Sequence, residues 1–209
     1  MAGEKIKVLV SAGPTREYID EIRFISNPSS GNMGYLIAEY AKKIGYDVIL
    51  VSGPTHLKRP NGIKLIKIES AREMEKAILK YFPKVDLLIM SAAVSDWRPY
   101  KRFKGKLKRK KIWNLKLVPN PDILKSVSKI KKENQKIIGF ALETENIIKN
   151  ATKKLKEKKI DLIIGNTPDF LGEGKKSDVF LIFKNGKILK FNIKKEELPK
   201  IIFKHIVDI

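Results

Sequence analysis

Cysteine is absent from the 209-residue sequence, and histidine occurs only twice. Without thiols the chain can form neither disulfides nor thiolate metal sites, and it has no cysteine nucleophile. His56 and His205 lie far apart, and no His-x-His or His-Glu-x-x-His pattern occurs, which argues against zinc catalysis and hydrolytic triads. Any chemistry must therefore rest on lysine, arginine, asparagine and carboxylate groups, a set suited to phosphoryl or nucleotidyl transfer.

Long apolar runs are also lacking. No stretch approaches the roughly 18 apolar residues of a membrane span, and residues 1–5 lead directly into a strand pattern instead of a signal peptide. Together with the absence of cysteine, this predicts a cytoplasmic protein with no membrane partner.

Acidic residues are scarce, since 23 Asp and Glu face 44 Lys and Arg and leave a net charge of +21. Such an excess is typical of nucleic-acid binding, but also of the lysine-rich solvated surfaces of proteins from hot environments. The charge is spread along the chain apart from one dense stretch, Lys101–Lys111. Because no zinc-finger, RRM or KH signature accompanies it, we expect a small anionic substrate and no nucleic acid.

Strand and helix patterns alternate through most of the chain. Apolar runs predict strands at Lys7–Ser11, Asp47–Ser52, Ile63–Ile68, Val85–Ser91, Lys136–Ala141 and Ile160–Gly165. Helical spacing predicts helices at Met33–Ile44, closed by Gly45, at Ala71–Tyr81, with a capping box from Ser70 to Glu73, and at Asp122–Ile130 and Asn146–Lys158.

The C-terminal part differs, because Val179–Phe183 and Ile188–Ile193 flank the hairpin signal Asn185-Gly186. A final helix is predicted at Glu196–Val207. The whole pattern predicts one α/β domain over residues 1–209: a Rossmann-like, open, mostly parallel sheet with helices on both faces and a C-terminal antiparallel hairpin addition.

A long polar loop, Thr15–Pro28, precedes the first helix. Most connections between a strand and a helix are only a few residues long, so a loop of this length is more often functional than not. It ends in Ser29-Ser30-Gly31-Asn32-Met33-Gly34, where free N–H groups and the helix dipole favour an anion. Ordinary N-capping by Ser29 or Ser30 explains the serines equally well. Neither a Gly-x-Gly-x-x-Gly fingerprint nor a Walker A motif occurs, which disfavours NAD(P).

Two further segments carry chemical groups. Ser91–Trp97 leaves a strand, and its Asp96 could hold a metal, accept ligand hydrogen bonds, or simply cap a turn. Lys104–Lys111 is either a mobile basic loop or a flap that closes over a triphosphate and neutralises developing charge.

These segments together resemble phosphopantothenoylcysteine synthetase, the ligase half of the bifunctional coenzyme A biosynthesis protein. The resemblance covers essentially the whole chain and is carried, in order, by Ala12–Glu17, Arg23–Gly34, Ser91–Arg98, Asn120–Leu124 and Gly139–Thr144. It implies that 4′-phosphopantothenate is joined to L-cysteine through an acyl-cytidylate, with CTP converted to CMP and pyrophosphate and Mg²⁺ accompanying the triphosphate. It also implies a homodimer that completes the phosphopantothenate site across its interface. The family's flavin-dependent decarboxylase half is not expected here, so the chain would be a stand-alone synthetase or an excised domain.

The resemblance also assigns roles to residues. Asn27 corresponds to an asparagine that holds the acyl-cytidylate, Arg23 to an arginine required for activity, and Lys106 to the first lysine of a Lys-x-Lys-Lys flap motif, whose last position is Arg109 here. Nucleotide-binding positions are Ala92, Asp96, Lys106, Pro121, Asp122, Ile123, Leu124, Phe140, Lys154 and Lys158. The substrate phosphate is assigned to Gly13, Ser29, Ser30, Gly31 and Gly34. Metal ligands and the choice between CTP and ATP stay open.

Some positions depart from the family or fit another class. Gly172–Asp178 departs from the family's usual form, and no role is carried onto it. Lys154 and Lys158 could simply be a solvated helix face, although their i, i+4 spacing allows both to meet one triphosphate. A short-chain NAD(P) reductase would need a Tyr-x-x-x-Lys pair, and only Tyr100–Lys104 has that spacing, in a basic loop.

Overall fold

An eight-stranded sheet forms the centre of the molecule in a computed structural model that describes residues 5–109, 111–171 and 174–209. Its strands are β1 Lys7–Ala12, β4 Asp47–Ser52, β5 Lys64–Lys67, β6 Leu87–Met90, β9 Lys136–Leu142, β10 Leu162–Asn166, β11 Ser177–Phe183 and β12 Ile188–Ile193. The strand order is β12-β11-β10-β9-β6-β1-β4-β5. The six neighbouring strands β10, β9, β6, β1, β4 and β5 run parallel, whereas β11 pairs antiparallel with β10 and β12 pairs antiparallel with β11. The predicted Rossmann-like sheet with its C-terminal hairpin is confirmed.

Helices cover both faces of this sheet, as predicted. They are α1 Asn32–Lys43, α2 Ala71–Tyr81, α3 Ile123–Ser128, α4 Ile147–Lys158 and α5 Leu198–Lys204. Because side chains alternate along a strand, Val8 and Val10 enter the core beneath α1 and α5, whereas Leu9 enters the core beneath α2, α3 and α4. Within the described ranges, none of the helices is long and apolar enough to cross a membrane.

Several predicted helix ends are shifted. The last helix is shorter than Glu196–Val207, because short 3₁₀ turns flank α5 on both sides.

In the predicted capping box, the Ser70 hydroxyl accepts from the Glu73 amide at 3.3 Å, but the Glu73 carboxylate accepts from the Glu69 amide at 2.7 Å instead of from Ser70. Gly45 follows α1 with φ of 97°, a left-handed conformation that favours glycine, as expected of a residue that closes a helix.

Two small antiparallel hairpins were not predicted. The first pairs β2 Arg16–Tyr18 with β3 Phe24–Ser26, so the segment taken as a loop from Thr15 to Pro28 is partly a hairpin. The second pairs β7 Trp97–Pro99 with β8 Leu117–Pro119 and brackets the basic stretch, of which Lys110 lies outside the described residues. Three-residue strands are too short to show a two-residue periodicity. Residues 172 and 173 of the divergent Gly172–Asp178 segment also lie outside the described part.

Candidate active site

The loops that follow β1 and β6 are fastened to each other. These strands are neighbours at the point where the strand order reverses, which is where open α/β sheets bind ligands. The Gly13 carbonyl accepts from the Ala93 amide at 2.9 Å, and the Ser11 hydroxyl accepts from the Ala92 amide at 3.1 Å. The Ser91 hydroxyl donates to the Ser11 carbonyl at 2.6 Å. The floor of the crevice is therefore a rigid junction of two strand ends.

The N-terminus of α1 is packed directly onto this junction. A Cβ added to Gly34 would lie 2.5 Å from the Ala12 Cβ, and one added to Gly31 would lie 2.7 Å from a methyl carbon of Thr55. Gly13 belongs to the same contact, since its backbone lies 3.2 Å from the position of a Gly31 Cβ. Only glycine permits helix and loops to approach this closely.

The helix is capped by Gly31, not by a serine. Gly31 has φ of 80° and, having no side chain, makes no side-chain cap hydrogen bond. Instead, the Ser29 hydroxyl accepts from the Gly31 amide at 3.3 Å and the Ser30 hydroxyl accepts from the Asn32 amide at 3.4 Å. The serines thus shape the approach to the helix, and their hydroxyl groups remain beside a positive helix end that favours an anion.

Asn27 connects this helix entrance to the loop after β6. Its side-chain amide donates to the carbonyls of Ala93 at 3.3 Å and Val94 at 3.1 Å. The rest of the Asn27 side chain is exposed. Two segments 66 residues apart in sequence therefore meet at Asn27.

A cavity of about 520 Å³ opens on the other side of the loop after β6. Nine of the ten predicted nucleotide-binding residues line it: Ala92, Asp96, Pro121, Asp122, Ile123, Leu124, Phe140, Lys154 and Lys158. Sequence analysis gave no role to the other lining residues, of which Met90 and Pro119 also lie outside the segments that carry the resemblance. The six are Met90, Val94, Ser95, Trp97, Pro119 and Asn120. Val94 is shared with the Asn27 contact, so the cavity and the α1 entrance adjoin.

Two lysines of α4 give this cavity its positive charge. Lys154 is largely buried and donates to the Phe140 carbonyl at 2.9 Å. Burial lowers the pKa of Lys154 below its ordinary value of 10.5, against the opposing effect of nearby carboxylates, of which Glu143 is the strongest. Lys158 pairs with Asp122, whose other oxygen caps α3 by accepting from the Lys125 amide at 3.1 Å. The i, i+4 spacing therefore does bring both ammonium groups to one cavity.

Arg23 and Lys106, both of which the structure describes, do not line this cavity. Arg23 donates to the Leu107 carbonyl at 3.1 Å and forms an ion pair with Asp20 at 3.4 Å. Lys106 is exposed on the segment that Arg23 contacts.

The comparisons with known proteins fit this geometry. A model of the DNA/pantothenate metabolism flavoprotein C-terminal domain matches residues 2–209. The chain belongs to this family. The coenzyme A biosynthesis bifunctional protein CoaBC of Borreliella burgdorferi is 41% identical over 201 residues, which are 95% of this chain and 51% of that protein. The chain thus spans about half the length of the curated relatives it matches.

Two solved structures have the same fold as this chain. The crystal structure of a CoaBC C-terminal domain has a TM-score of 0.82 at 39% identity, covering 96% of this chain and 93% of that one. A Cab2 protein in complex with phosphopantothenate-cysteine has a TM-score of 0.77 at 20% identity, covering 96% and 86% respectively, and shares the fold. The family suggested by the motifs is therefore confirmed.

Among the residues with defined contacts, Asp20 was missed, and Asn120 was named only as the first residue of the Asn120–Leu124 motif, without a role. Asn120 donates to the Ser95 carbonyl at 2.8 Å and accepts from Arg98 at 3.3 Å, which holds one wall of the cavity. Asp20 accepts from the amides of Ile22 and Arg23, a turn that aspartate commonly forms with the amides just after it. The sequence signal for this turn is only an Asp three residues before an Arg, which is too common a pattern to predict it.

Carboxylates are few in this site of the DNA/pantothenate metabolism flavoprotein family. Within the described residues, no group of three or more His, Cys, Asp or Glu side chains could hold a metal ion. Asp122 is engaged by Lys158 and by the cap of α3, whereas Asp96 presents an exposed carboxylate at the cavity. Mg²⁺ is usually held by phosphate oxygens, water and one or two carboxylates. This donor set would suit Mg²⁺ held mainly by phosphate oxygens and water, with Asp96 as a carboxylate that could join them.

Proposed function

We propose that the chain is a phosphopantothenate–cysteine ligase that uses CTP. The observation that carries the proposal is the pairing of two anion sites across one loop: the lysine-bearing cavity on one side and the α1 entrance on the other. A reaction between a nucleoside triphosphate and a second phosphorylated substrate needs two such sites next to each other. Asn27 lies where they meet.

In the first step, a carboxylate oxygen of 4′-phosphopantothenate attacks the α-phosphorus of CTP, and pyrophosphate leaves. Lys154 and Lys158 attract the triphosphate, and the small side chain of Ala92 lets the flat base lie close to the backbone. The phosphate of phosphopantothenate binds at the α1 N-terminus, with hydroxyl groups from Ser29 and Ser30. Lys106 supplies charge to the reacting phosphate. Asp96 would be a ligand for Mg²⁺, which would neutralise part of the triphosphate charge.

In the second step, the amine of L-cysteine attacks the acyl carbonyl carbon of the acyl-cytidylate. The acyl–oxygen bond breaks, CMP leaves, and the amine loses a proton as the amide forms. Asn27 and the carbonyl-rich edge that it holds are the parts of the chain best situated to fix the intermediate for this attack. Catalysis in this proposal depends on positioning, because the chain has no cysteine thiol and none of the residues assigned to either step is a histidine.

We also infer a homodimer formed through the two small hairpins. Their turns and flanks expose large apolar side chains, and exposed apolar patches on a small domain mark interaction surfaces. They include Ile22, Phe24, Trp97, Tyr100, Ile112 and Trp113. These side chains lie next to the segments that bear Asn27 and Lys106, which supports a substrate site completed across the interface.

The proposal is tested by following release of the corresponding nucleoside monophosphate with each of the four nucleoside triphosphates. CMP is expected only when phosphopantothenate, CTP and cysteine are all present, and the amide product should appear by mass spectrometry in equal amount. Pyrophosphate should form without cysteine. Release of CMP without phosphopantothenate, or a preference for ATP, would contradict the proposed reaction or its nucleotide.

A further inference from the structure

The basic segment, residues 101–109, is attached to the turn of the β2–β3 hairpin. The Phe103 amide donates to the Ile19 carbonyl at 2.8 Å, and the Arg102 guanidinium lies 4.8 Å from the centre of the Tyr18 ring. Farther along, both backbone groups of Leu107 are held by side chains of that turn. These contacts join parts of the chain more than 80 residues apart.

The contacts to Leu107 come from one charged pair, which we name the Asp20–Arg23 clamp. Asp20 Oδ2 accepts from the Leu107 amide at 3.1 Å, and Arg23 Nη2 donates to the Leu107 carbonyl at 3.1 Å. The two side chains also pair with each other at 3.4 Å. Because the amide and the carbonyl of Leu107 are both held by charged side chains, the segment has little conformational freedom at Leu107.

Asp20 is suited to a fixed attachment. Its side chain is fully buried, and its other oxygen, Oδ1, accepts from the amides of Ile22 at 2.8 Å and Arg23 at 2.7 Å. These N–H groups, that of Arg23 first, hold the pKa of the Asp20 carboxyl below its usual 3.8. One oxygen thus shapes the turn while the other reaches the basic segment, so the two roles can be separated by mutation.

From this geometry we propose that Asp20 is a positioning residue, which acts with Arg23 to fix Leu107 and thereby to present the adjacent Lys106 to the reacting phosphate. The same hairpin places Asn27 after β3, against the loop of the cavity. One rigid hairpin thus aligns the basic segment with the junction of the two anion sites. The inference rests on the proposed ligase function, and it gives Arg23 a role through Leu107 without contact to the reacting atoms.

The test is Asp20→Asn, because asparagine keeps one oxygen for the turn but opposes an N–H group to the Leu107 amide and to Arg23. Hydrogen exchange at the Leu107 amide is expected to accelerate at least about tenfold, since a hydrogen bond to a charged acceptor is lost. The rate of pyrophosphate formation should fall at least about tenfold, with the affinity for CTP within about twofold of wild type because Lys154 and Lys158 are untouched. Glu21→Gln, an exposed neighbour in the same turn, should change neither quantity.

Two further variants test the proposal independently of Asp20→Asn. If Asp20→Asn does not fold, Arg23→Gln removes the contact to the Leu107 carbonyl and the ion pair with Asp20 but leaves the Asp20 contact to the Leu107 amide. It should show the same pattern more weakly. Lys106→Gln should slow pyrophosphate formation without changing exchange at Leu107, since it removes the group that the clamp presents and leaves the clamp intact.

The outcomes separate the clamp from the proposed function. Unchanged exchange at Leu107 in the folded variants, or faster exchange with unchanged pyrophosphate formation, would overturn the positioning role. A wild-type protein that forms no pyrophosphate from CTP and phosphopantothenate would instead refute the proposed function. In that case the exchange measurement still decides whether the clamp exists, and the catalytic part of the inference falls with the function.

Discussion

At the residue scale, Asn27 is the residue whose side-chain amide donates two hydrogen bonds to the loop after β6. We expect Asn27→Asp to slow amide formation about tenfold or more, because a carboxylate cannot donate to the Ala93 and Val94 carbonyls and repels both oxygens. Pyrophosphate formation without cysteine should persist, so the acyl-cytidylate accumulates and can be quantified by mass spectrometry after rapid quenching. Asn61→Asp, on an exposed turn, serves as the control. Normal turnover in Asn27→Asp would remove its assigned role.

Lys154 carries the pH dependence expected of a buried cation. Because burial lowers its pKa below 10.5, the native protein releases this proton at a lower pH than the unfolded chain does. Between the two pKa values the unfolded chain binds more protons, so stability rises with pH in that window, and below it the cost of burying the charge is fully present. A bound triphosphate favours the charged form and should raise the pKa again.

It follows that CTP binding should take up a proton at alkaline pH. Calorimetric titrations in two buffers of different ionisation enthalpy, run at a series of alkaline pH values below the ordinary lysine pKa of 10.5, should reveal an uptake of up to about one proton. Lys154→Arg is the matched control, since a guanidinium stays charged throughout this range. The same uptake in Lys154→Arg, or none in the wild type, would show that Lys154 does not meet the triphosphate.

At the scale of elements, the position of α1 depends on one glycine. Gly34→Ala adds a methyl group 2.5 Å from the Ala12 Cβ and 2.8 Å from the Ser11 carbonyl oxygen, so the helix must move off β1. Alanine is the better helix former by about 1 kcal/mol, but overpacking costs about 1–3 kcal/mol. We expect a net destabilisation of about 1 kcal/mol or more, together with weaker binding of phosphopantothenate at the displaced helix end.

Urea denaturation measures the first effect and calorimetry the second. Glu39→Ala, on the exposed face of the same helix, should change the free energy of unfolding by less than about 0.5 kcal/mol. If Gly34→Ala is as stable as the wild type and binds equally well, the close packing of α1 is not what forms the anion site.

The sheet and the longer helices could be predicted because their apolar residues recur over whole elements. Val85–Ser91, for example, contains the fully apolar β6. The hairpins formed by β2 with β3 and by β7 with β8 could not be predicted, because three-residue strands show no alternation of apolar and polar residues. The second hairpin also pairs Pro99 with Leu117, which are too far apart in sequence to indicate a hairpin. Lys158 entered the predicted site through the resemblance, whereas Asp96 was also singled out by its place just after a strand. Asp20 escaped prediction because its partner Leu107 lies 87 residues away.

At the scale of the whole molecule, the open question is what covers the hairpins. Ile22 is 59% exposed and Trp113 is 41% exposed, and both flank the segments that carry the predicted catalytic groups. If two copies meet here, a charge placed on this surface should separate them, since an unpaired buried charge at an interface is costly. We therefore expect Ile22→Glu to shift the protein from dimer to monomer in sedimentation velocity and to reduce the affinity for phosphopantothenate.

Val207→Glu provides the matched control, because Val207 is 86% exposed at the C-terminal end and lies on neither hairpin. It should sediment as the wild type does. A pair of complementary variants, Ile22→Glu and Ile22→Lys, sharpens the test: each alone should be monomeric, and their mixture should regain both dimer and activity if Ile22 faces its own copy across a two-fold axis. A wild-type protein that sediments as a monomer at the concentrations where it is active would instead show that one chain completes its own site.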